Sequence, residues 1–441
     1  MESLFKVRER GSTWGREAVG GLTTFLAMAY IVAVNPAILV EAGVPFQAAL
    51  TSTCLSAALL TITMGLAANR PLALAPGMGL NAVVAYTLCL GMGVDWRVAM
   101  SVVLVEGLVI FLLVLCGLRR AIMDAIPVDL RLAIGIGIGI FVAFIGLKGG
   151  GIVTDDASTL LALGNLGSPA CIVSIVSILV AVVLRALHVP GALLISIVAG
   201  TLVGIPLGVS IIPETWNFGL DFSAFAAPLQ EDPATGMMAI ALAATQPALL
   251  LAAFSLLMSD FFDTMGGVVA VGRQGEFADE LGRVEDLQPI LTVDSLGAAV
   301  GGFLGASSVT VYVESAVGAA AGARTGFSNI VVGLLFVACA FFSPVVGMVS
   351  GSATCGALTV VGYLMMTSIG DINWNRFELA FPAFAIVAGI PFTYSITNGI
   401  GLGFISYVII MIVTGRAREV RPLMWVASVA FLAMFAFAAA A

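Results

Sequence analysis

Charge is scarce in this 441-residue sequence: Asp, Glu, Lys and Arg together make up 10% of it, against roughly a quarter in ordinary soluble proteins. That excludes a water-soluble enzyme. No polar stretch is long enough to form a separate soluble domain. Histidine occurs once, His188, in a turn beside Pro190, which rules out an intramembrane histidine relay. The six cysteines, Cys54, Cys89, Cys116, Cys171, Cys339 and Cys355, lack metal-type or disulfide-type spacing and read as small buried hydrophobes. A basic tract and a cluster of stacking aromatics are also missing, and the net charge is -8, so nucleic acid is not an expected partner. With no nucleophile and base and no metal set, neither an enzyme, a metal site nor a cofactor is expected.

What the sequence has in excess is apolar surface, at 60% hydrophobic residues and a mean hydropathy of +1.11. The chain belongs in a bilayer. Its 50 glycines and 17 prolines suit closely packed, interrupted membrane helices. The first 20 residues carry Lys6, Arg8, Arg10 and Arg16 but no small-residue cleavage site, so the first helix reads as retained.

Apolar runs of spanning length lie near 19–40, 47–68, 72–91, 97–116, 129–147, 170–187 and 190–207. A second set follows at 245–270, 288–304, 308–322, 326–345, 351–369, 377–395 and 397–414. The chain therefore reads as an all-α polytopic membrane protein of about 14 transmembrane segments, divided into 1–207, a connection 208–244, a second half 245–414 and a tail 415–441. The connection holds Glu214, Asp221, Glu231 and Asp232 and no Lys or Arg. In the tail, the apolar stretch 423–441 follows Arg416, Arg418 and Arg421 and reads either as a further span or as a helix lying against the membrane.

The positive-inside rule tests this segmentation. With a cytoplasmic N-terminus and 14 spans, every Lys and Arg except Arg97 and Lys148 falls on the cytoplasmic side, and the acidic connection falls outside. Seven spans per half means that the second half crosses in the opposite sense, the inverted repeat of secondary transporters. Span 3 and span 10 should then correspond, and both are irregular. Span 3 opens on Pro71, Pro76, Gly77 and Gly79 before Asn81, and span 10 runs from Gly305 through the β-branched Val309-Thr310-Val311 to Tyr312 and Glu314. Each reads as a short extended strand followed by a half-helix, and such paired breaks point to a substrate site at mid-membrane.

Ionisable groups inside spans are costly and become functional candidates. Asp263 and Glu314 read as two carboxylates meeting in a cavity, while Asp260 and Asp294 read first as structural hydrogen-bond partners of Ser and Thr neighbours. Glu106 pairs within the bundle or faces a crevice; Asn81 caps the broken helix or reads a substrate edge. The aromatics near this region are Phe25, Tyr30, Phe261, Phe262 and Tyr312. Gly135, Gly137 and Gly139 follow no strand and signify close helix packing, not a phosphate loop.

Several runs are distinctive: Gly21 to Pro36 with Thr24, Phe25 and Tyr30, Ala75-Pro-Gly-Met-Gly-Leu-Asn81, Phe262-Asp-Thr264, Val311-Tyr-Val-Glu-Ser-Ala316 and Pro391 to Tyr407. From about Leu4 to Arg421 the chain resembles the AzgA-like purine permeases of the nucleobase-ascorbate, or xanthine/uracil permease, superfamily. The resemblance implies a 7+7 inverted repeat with a core domain (spans 1–4 and 8–11) and a gate domain (spans 5–7 and 12–14), and two strands in spans 3 and 10 forming the site. It implies uptake of adenine, guanine or hypoxanthine with protons across the cell (inner) membrane. Asp263, Glu314 and Asn81 match the family's base-contacting positions; Thr24, Phe25, Phe262 and Tyr312 complete the expected substrate set. Glu314, Asp263 and Asp260 are the candidates for carrying the coupled proton. Relatives usually continue Asp-Thr-Thr-Gly-Thr where this chain has Asp263-Thr-Met-Gly-Gly267, which leaves the preferred purine open. A homodimer also stays open. The alternatives are a uracil/xanthine-type permease, or an anion carrier or channel, which would want a cation at the site; the nearest, Arg324, lies two or three turns beyond Glu314.

Overall fold

The computed structural model describes all residues except Met1, 117–125, Glu214, Thr215, Asn217, 279–283, Asp286 and Ala441, together with the side chains at 262, 263, 265, 266, 270, 273 and 437–440. Two expected site groups, the side chains of Phe262 and Asp263, therefore lie outside the described residues, as do Arg119, Arg120, Glu214, Arg283 and the Arg273 side chain.

The first apolar run is two helices, α1 (Trp14–Met28) and α2 (Ile31–Glu41), followed by α3 (Phe46–Ala67). Span 3 is broken as its prolines require: strand β1 (Leu74–Pro76) passes into α4 (Met78–Ala82), and Val83–Gly91 continues as a π-helix. Next come α5 (Trp96–Leu115), α6 (Val128–Gly149), a hairpin of β2 (Val153–Asp156) and β3 (Leu160–Leu163), α7 (Pro169–Ala186) and α8 (Ala192–Gly204). In the second half, α9 (Ala239–Thr245) meets α10 (Pro247–Gln274) at 88°. They precede α11 (Leu287–Leu304), β4 (Val309–Val311), α12 (Ser315–Ala320), α13 (Phe327–Ala340), α14 (Gly351–Met366), α15 (Phe377–Thr393), α16 (Ile396–Val413) and α17 (Pro422–Ala440).

Among the described residues eight helices are long and apolar enough to cross a membrane, nine if the bent pair is one span. Shorter apolar helices, such as α8, α13 and α15, accompany them. Large side chains such as Phe392, Val413 and Leu179 face outward, an apolar exterior that suits lipid and not water.

Strand β1 pairs antiparallel with β4, Leu74 opposite Val311, Ala75 opposite Thr310 and Pro76 opposite Val309. Two backbone bonds extend the ladder, Gly77 N–H to Ser308 O at 2.9 Å and Tyr312 N–H to Ala73 O at 2.9 Å. All six strand residues are buried. Extended backbone at this depth is tolerable only because each strand satisfies the other. Around this pair pack α1 to α5 and α10 to α13, with α11 against α5 and α13 against α3. A second group consists of α6, α7, α8, α14, α15 and α16, with α14 against α6 and α15 against α16.

Gly137 sits against Ile386 and Ile390 of α15, and Gly139 against Gly362 and Met365 of α14, so this glycine run is a packing surface. Cys54, Cys89, Cys171 and Cys355 are buried, but Cys116 is exposed because it caps the end of α5. The β2–β3 hairpin was not legible as strand. Its turn is held by Asp156, whose carboxylate accepts bonds from Ser158 and Thr159 and is thereby kept well below the usual carboxylate range.

Candidate functional site

The site is built where β1 and β4 run into their half-helices. Glu314 is half-buried and occupies the cap position of α12, and its carboxylate Oε1 accepts a 2.7 Å hydrogen bond from the Tyr30 hydroxyl. Tyr30 is itself buried, at the joint between α1 and α2. The Tyr312 hydroxyl donates to the Pro76 carbonyl at 2.6 Å, crossing the strand pair, and its ring lies 6.5 Å from that of Tyr30. The two tyrosines thus tie Glu314 to α1 and β4 to β1.

Behind the strands Asp294 of α11 acts as a hub. One oxygen accepts from Thr264 Oγ1 at 2.8 Å; the other accepts from Thr310 Oγ1 and Val311 N–H, both at 3.2 Å. Thr264 and Thr310 lie 2.8 Å apart. Asp294 therefore fixes β4 to α10, one residue beyond Asp263, whose own side chain is outside the described residues. Asn81, on α4, is fully buried and neither end of its amide meets a hydrogen-bond partner among the described residues. Thr24 is buried beside Gly318 of α12: a Cβ at Gly318 would stand 2.0 Å from Thr24 Oγ1, so only glycine admits this approach. Phe25 is half-buried and meets Phe336 of α13 edge-on, ring centroids 5.3 Å apart.

Other acids surround this centre. Glu106 on α5 is buried, and Asp260 of α10 and Asp294 of α11 are its acidic neighbours. Glu17, which sequence reasoning missed because the first span was begun at residue 19, is fully buried and accepts from the backbone N–H groups of Arg324 (2.8 Å) and Thr325 (3.2 Å). Its signal was the Thr13 cap, which starts the helix before it. Asn35, also missed, donates to Thr53 at 2.8 Å and to Ala306 O at 3.2 Å, anchoring the turn into β4. Arg324 does not serve the site: its guanidinium donates to the carbonyls of Ala319 and Ala323 and to Glu276.

A cavity of about 590 Å³ opens where the ends of α2 and α5 meet α9 and residues 232–235, lined by Glu41, Asp95, Asp232 and Gln246 among others. A cleft of about 70 Å³ lies between Val34, Glu41 and Tyr86 on one side and Gly146, Gly351 and Leu358 on the other. Neither reaches Glu314 or Asn81.

A family model, Xan_ur_permease, described as Permease family, matches residues 15–402. The chain belongs to this permease family. Among relatives of the permease, the adenine permease AdeP of Escherichia coli is 39% identical over 437 residues, covering 99% of this chain and 96% of its own. The guanine/hypoxanthine permease PbuG of Bacillus subtilis is 40% identical, covering 99% of this chain and 100% of its own. Among solved structures, the transmembrane domain of the cyanobacterial bicarbonate transporter BicA superposes with a TM-score of 0.65 at 14% identity, covering 88% of the permease and 97% of that domain. Murine Slc26a9, an anion transporter, gives 0.63 at 13% identity, over 91% and 69%. At such identities the likeness is one of fold. Family and fold make the permease a multi-pass membrane transporter and not an enzyme.

Proposed function

We propose that this permease imports purine nucleobases, adenine or guanine and hypoxanthine, across the cell membrane by proton symport. What carries the reading is Glu314 at the mouth of a half-helix, held by Tyr30 beside a strand pair that joins the two halves of the chain. Relatives of nearly equal length are named for those purines. In this reading the chain has 14 spans in a 7+7 inverted repeat with its N-terminus in the cytoplasm, and the two helix groups are a core and a gate that move against one another.

A purine is planar and neutral, with ring and amino N–H groups beside acceptor nitrogens. A carboxylate accepts two such hydrogens side by side. Glu314 and Asp263 each take one edge of the base, Asn81 supplies the free donor and acceptor of its amide, and Phe25, Phe262, Tyr312 and Thr24 enclose it. Two acids in one dry pocket do not both ionise when it is empty, and the proton that one of them holds gives coupling. The anion-carrier alternative suits the fold neighbours, but Arg324, the cation closest to Glu314 along this stretch of sequence, is turned away to backbone carbonyls and Glu276.

Uptake of radiolabelled adenine, guanine, hypoxanthine and uracil into cells lacking their own permeases, with and without a protonophore, tests the reading. Purine accumulation that collapses with the protonophore is expected, and Glu314→Gln and Asp263→Asn should abolish it while the protein stays in the membrane. Normal uptake by either variant would sink the site assignment.

A further inference from the structure

We propose that the permease holds a planar base at a second, outer subsite, formed by Glu41 and the ring of Tyr86, before the base reaches Glu314. The proposal rests on the nucleobase-import reading above and gives the substrate its first contact. Glu41 ends α2 and lines both openings, the cavity of about 590 Å³ and the cleft of about 70 Å³ between the two helix groups. It is the one residue the two linings share. Small-molecule sites run from roughly 300 to 1,000 Å³, so the cavity admits a base and the cleft does not. In the 14-span reading this cavity faces outward, because α2 ends, α5 begins and the connection 208–244 lies on that side. Three acids line it, and two are committed. Asp95 accepts from the Arg97 backbone and guanidinium, and Asp232 from the Thr235 N–H and hydroxyl. Glu41 is exposed, and its carboxylate meets no hydrogen-bond or ion-pair partner among the described residues. It can accept two N–H groups of a base side by side, and it repels an anion.

Inward of Glu41 the way is closed by aromatic rings. Tyr86, in the Val83–Gly91 segment, lines the cleft with Glu41. Its ring stands edge-on to Tyr394 at 5.7 Å and to Phe141 at 6.3 Å, and Tyr394 meets Phe141 at 5.0 Å and Phe144 at 5.9 Å. Tyr86 belongs to the strand-bearing group, whereas Phe141 and Phe144 lie on α6 and Tyr394 follows α15, in the other group. The cluster therefore bridges the boundary that has to open for a base to pass. Tyr394 is fixed for this contact: it takes a left-handed φ of 52°, which a residue with a side chain adopts where its surroundings hold it, and Lys148 Nζ sits 5.4 Å over its ring. When the groups part, the rings of α6 and Tyr394 leave Tyr86, whose ring is then uncovered to a planar ligand while Glu41 keeps the ligand's edge. Asn81 lies five residues back along the same broken span, so a base that passes Tyr86 arrives at the inner site.

The test compares two measurements on the full chain. One is uptake of labelled adenine and guanine far below saturation, in cells lacking their own permeases and normalised to permease in the membrane. The other is equilibrium binding of the same bases to the purified protein. Below saturation, uptake reads every contact present while the base crosses the barrier to entry. Glu41→Ala should lower it roughly tenfold, as for loss of an exposed hydrogen bond to a charged group, and Glu41→Asp should recover part. Equilibrium binding, which the inner site dominates, should stay as in the wild type for Glu41→Ala and be lost in Glu314→Gln. Tyr86→Phe, which keeps the ring, should take up base normally, and Tyr86→Leu should not; where Tyr86→Leu is not assembled, the Glu41 variants decide. Uptake like the wild type's in Glu41→Ala overturns the subsite. So does a loss of equilibrium binding as large as the loss of uptake, which would place Glu41 in the inner site or in the fold. A wild type that moves no purine would instead overturn the import reading, and the subsite with it.

Discussion

Removing a single oxygen from Tyr30 tests how Glu314 is poised. Tyr30→Phe deletes the 2.7 Å bond to Glu314 Oε1 and leaves the buried ring beside Tyr312 in place. Hydrogen bonds to charged groups contribute about 1.5–3 kcal/mol. Glu314 is only half-buried, so water replaces part of the loss and the lower end applies. At about 1.4 kcal/mol per factor of ten, the half-saturating base concentration should rise about tenfold. The freed carboxylate also regains rotamers that must be frozen again when a base binds, an effect of the same sign. The assay is initial uptake rate against base concentration, normalised to the amount of permease in the membrane. An unchanged half-saturating concentration at normal protein level refutes the idea that Tyr30 positions Glu314.

Other expectations follow from the packing around the strands. Asp294→Asn keeps one acceptor oxygen where two now receive three bonds, and the Val311 N–H cannot rotate to compensate. A loss of about 1–3 kcal/mol is expected, read as a lower unfolding temperature of the detergent-solubilised protein; unaltered thermal stability would show that β4 is held otherwise. Gly318→Ala places a methyl 2.0 Å from Thr24 Oγ1 and 2.4 Å from Gly20 O. Overpacking of this kind costs about 1–3 kcal/mol. Thr24→Ala relieves only the first clash, so the double variant should recover less than half of the lost stability, and full recovery would contradict the backbone contact.

The breaks in the membrane helices were legible because Pro71, Pro76, Gly77 and Gly79 cannot lie in one continuous helix. The second break was legible from Val309-Thr310-Val311, a β-branched run too short to span. What local patterns do not encode is partnership. Tyr30 and Glu314 are 284 residues apart, and nothing near either one names the other. Asn81 and Glu314 could be picked out because polar groups are rare in such spans, whereas Thr264 and Thr310 could not, since a threonine among apolar residues usually bonds its own helix, as Thr53 does. Glu17 escaped because hydropathy ends a span at the charge, while the helix itself begins at Trp14. The π-helical turn after α4 has no hydropathy signature, since Val83–Gly91 is apolar but for Thr87 and the Tyr86 hydroxyl.

The pairing of Pro76 with Val309 sets an order on how the protein is made. When β1 enters the bilayer its backbone has no mate, and the mate is not synthesised until most of the chain has left the ribosome. During that interval the first half must keep an unsatisfied strand away from lipid, sheltered by its own helices or by the insertion machinery. The halves cannot be separately matured modules, and the proposed site comes into being only once β4 and Glu314 have been made.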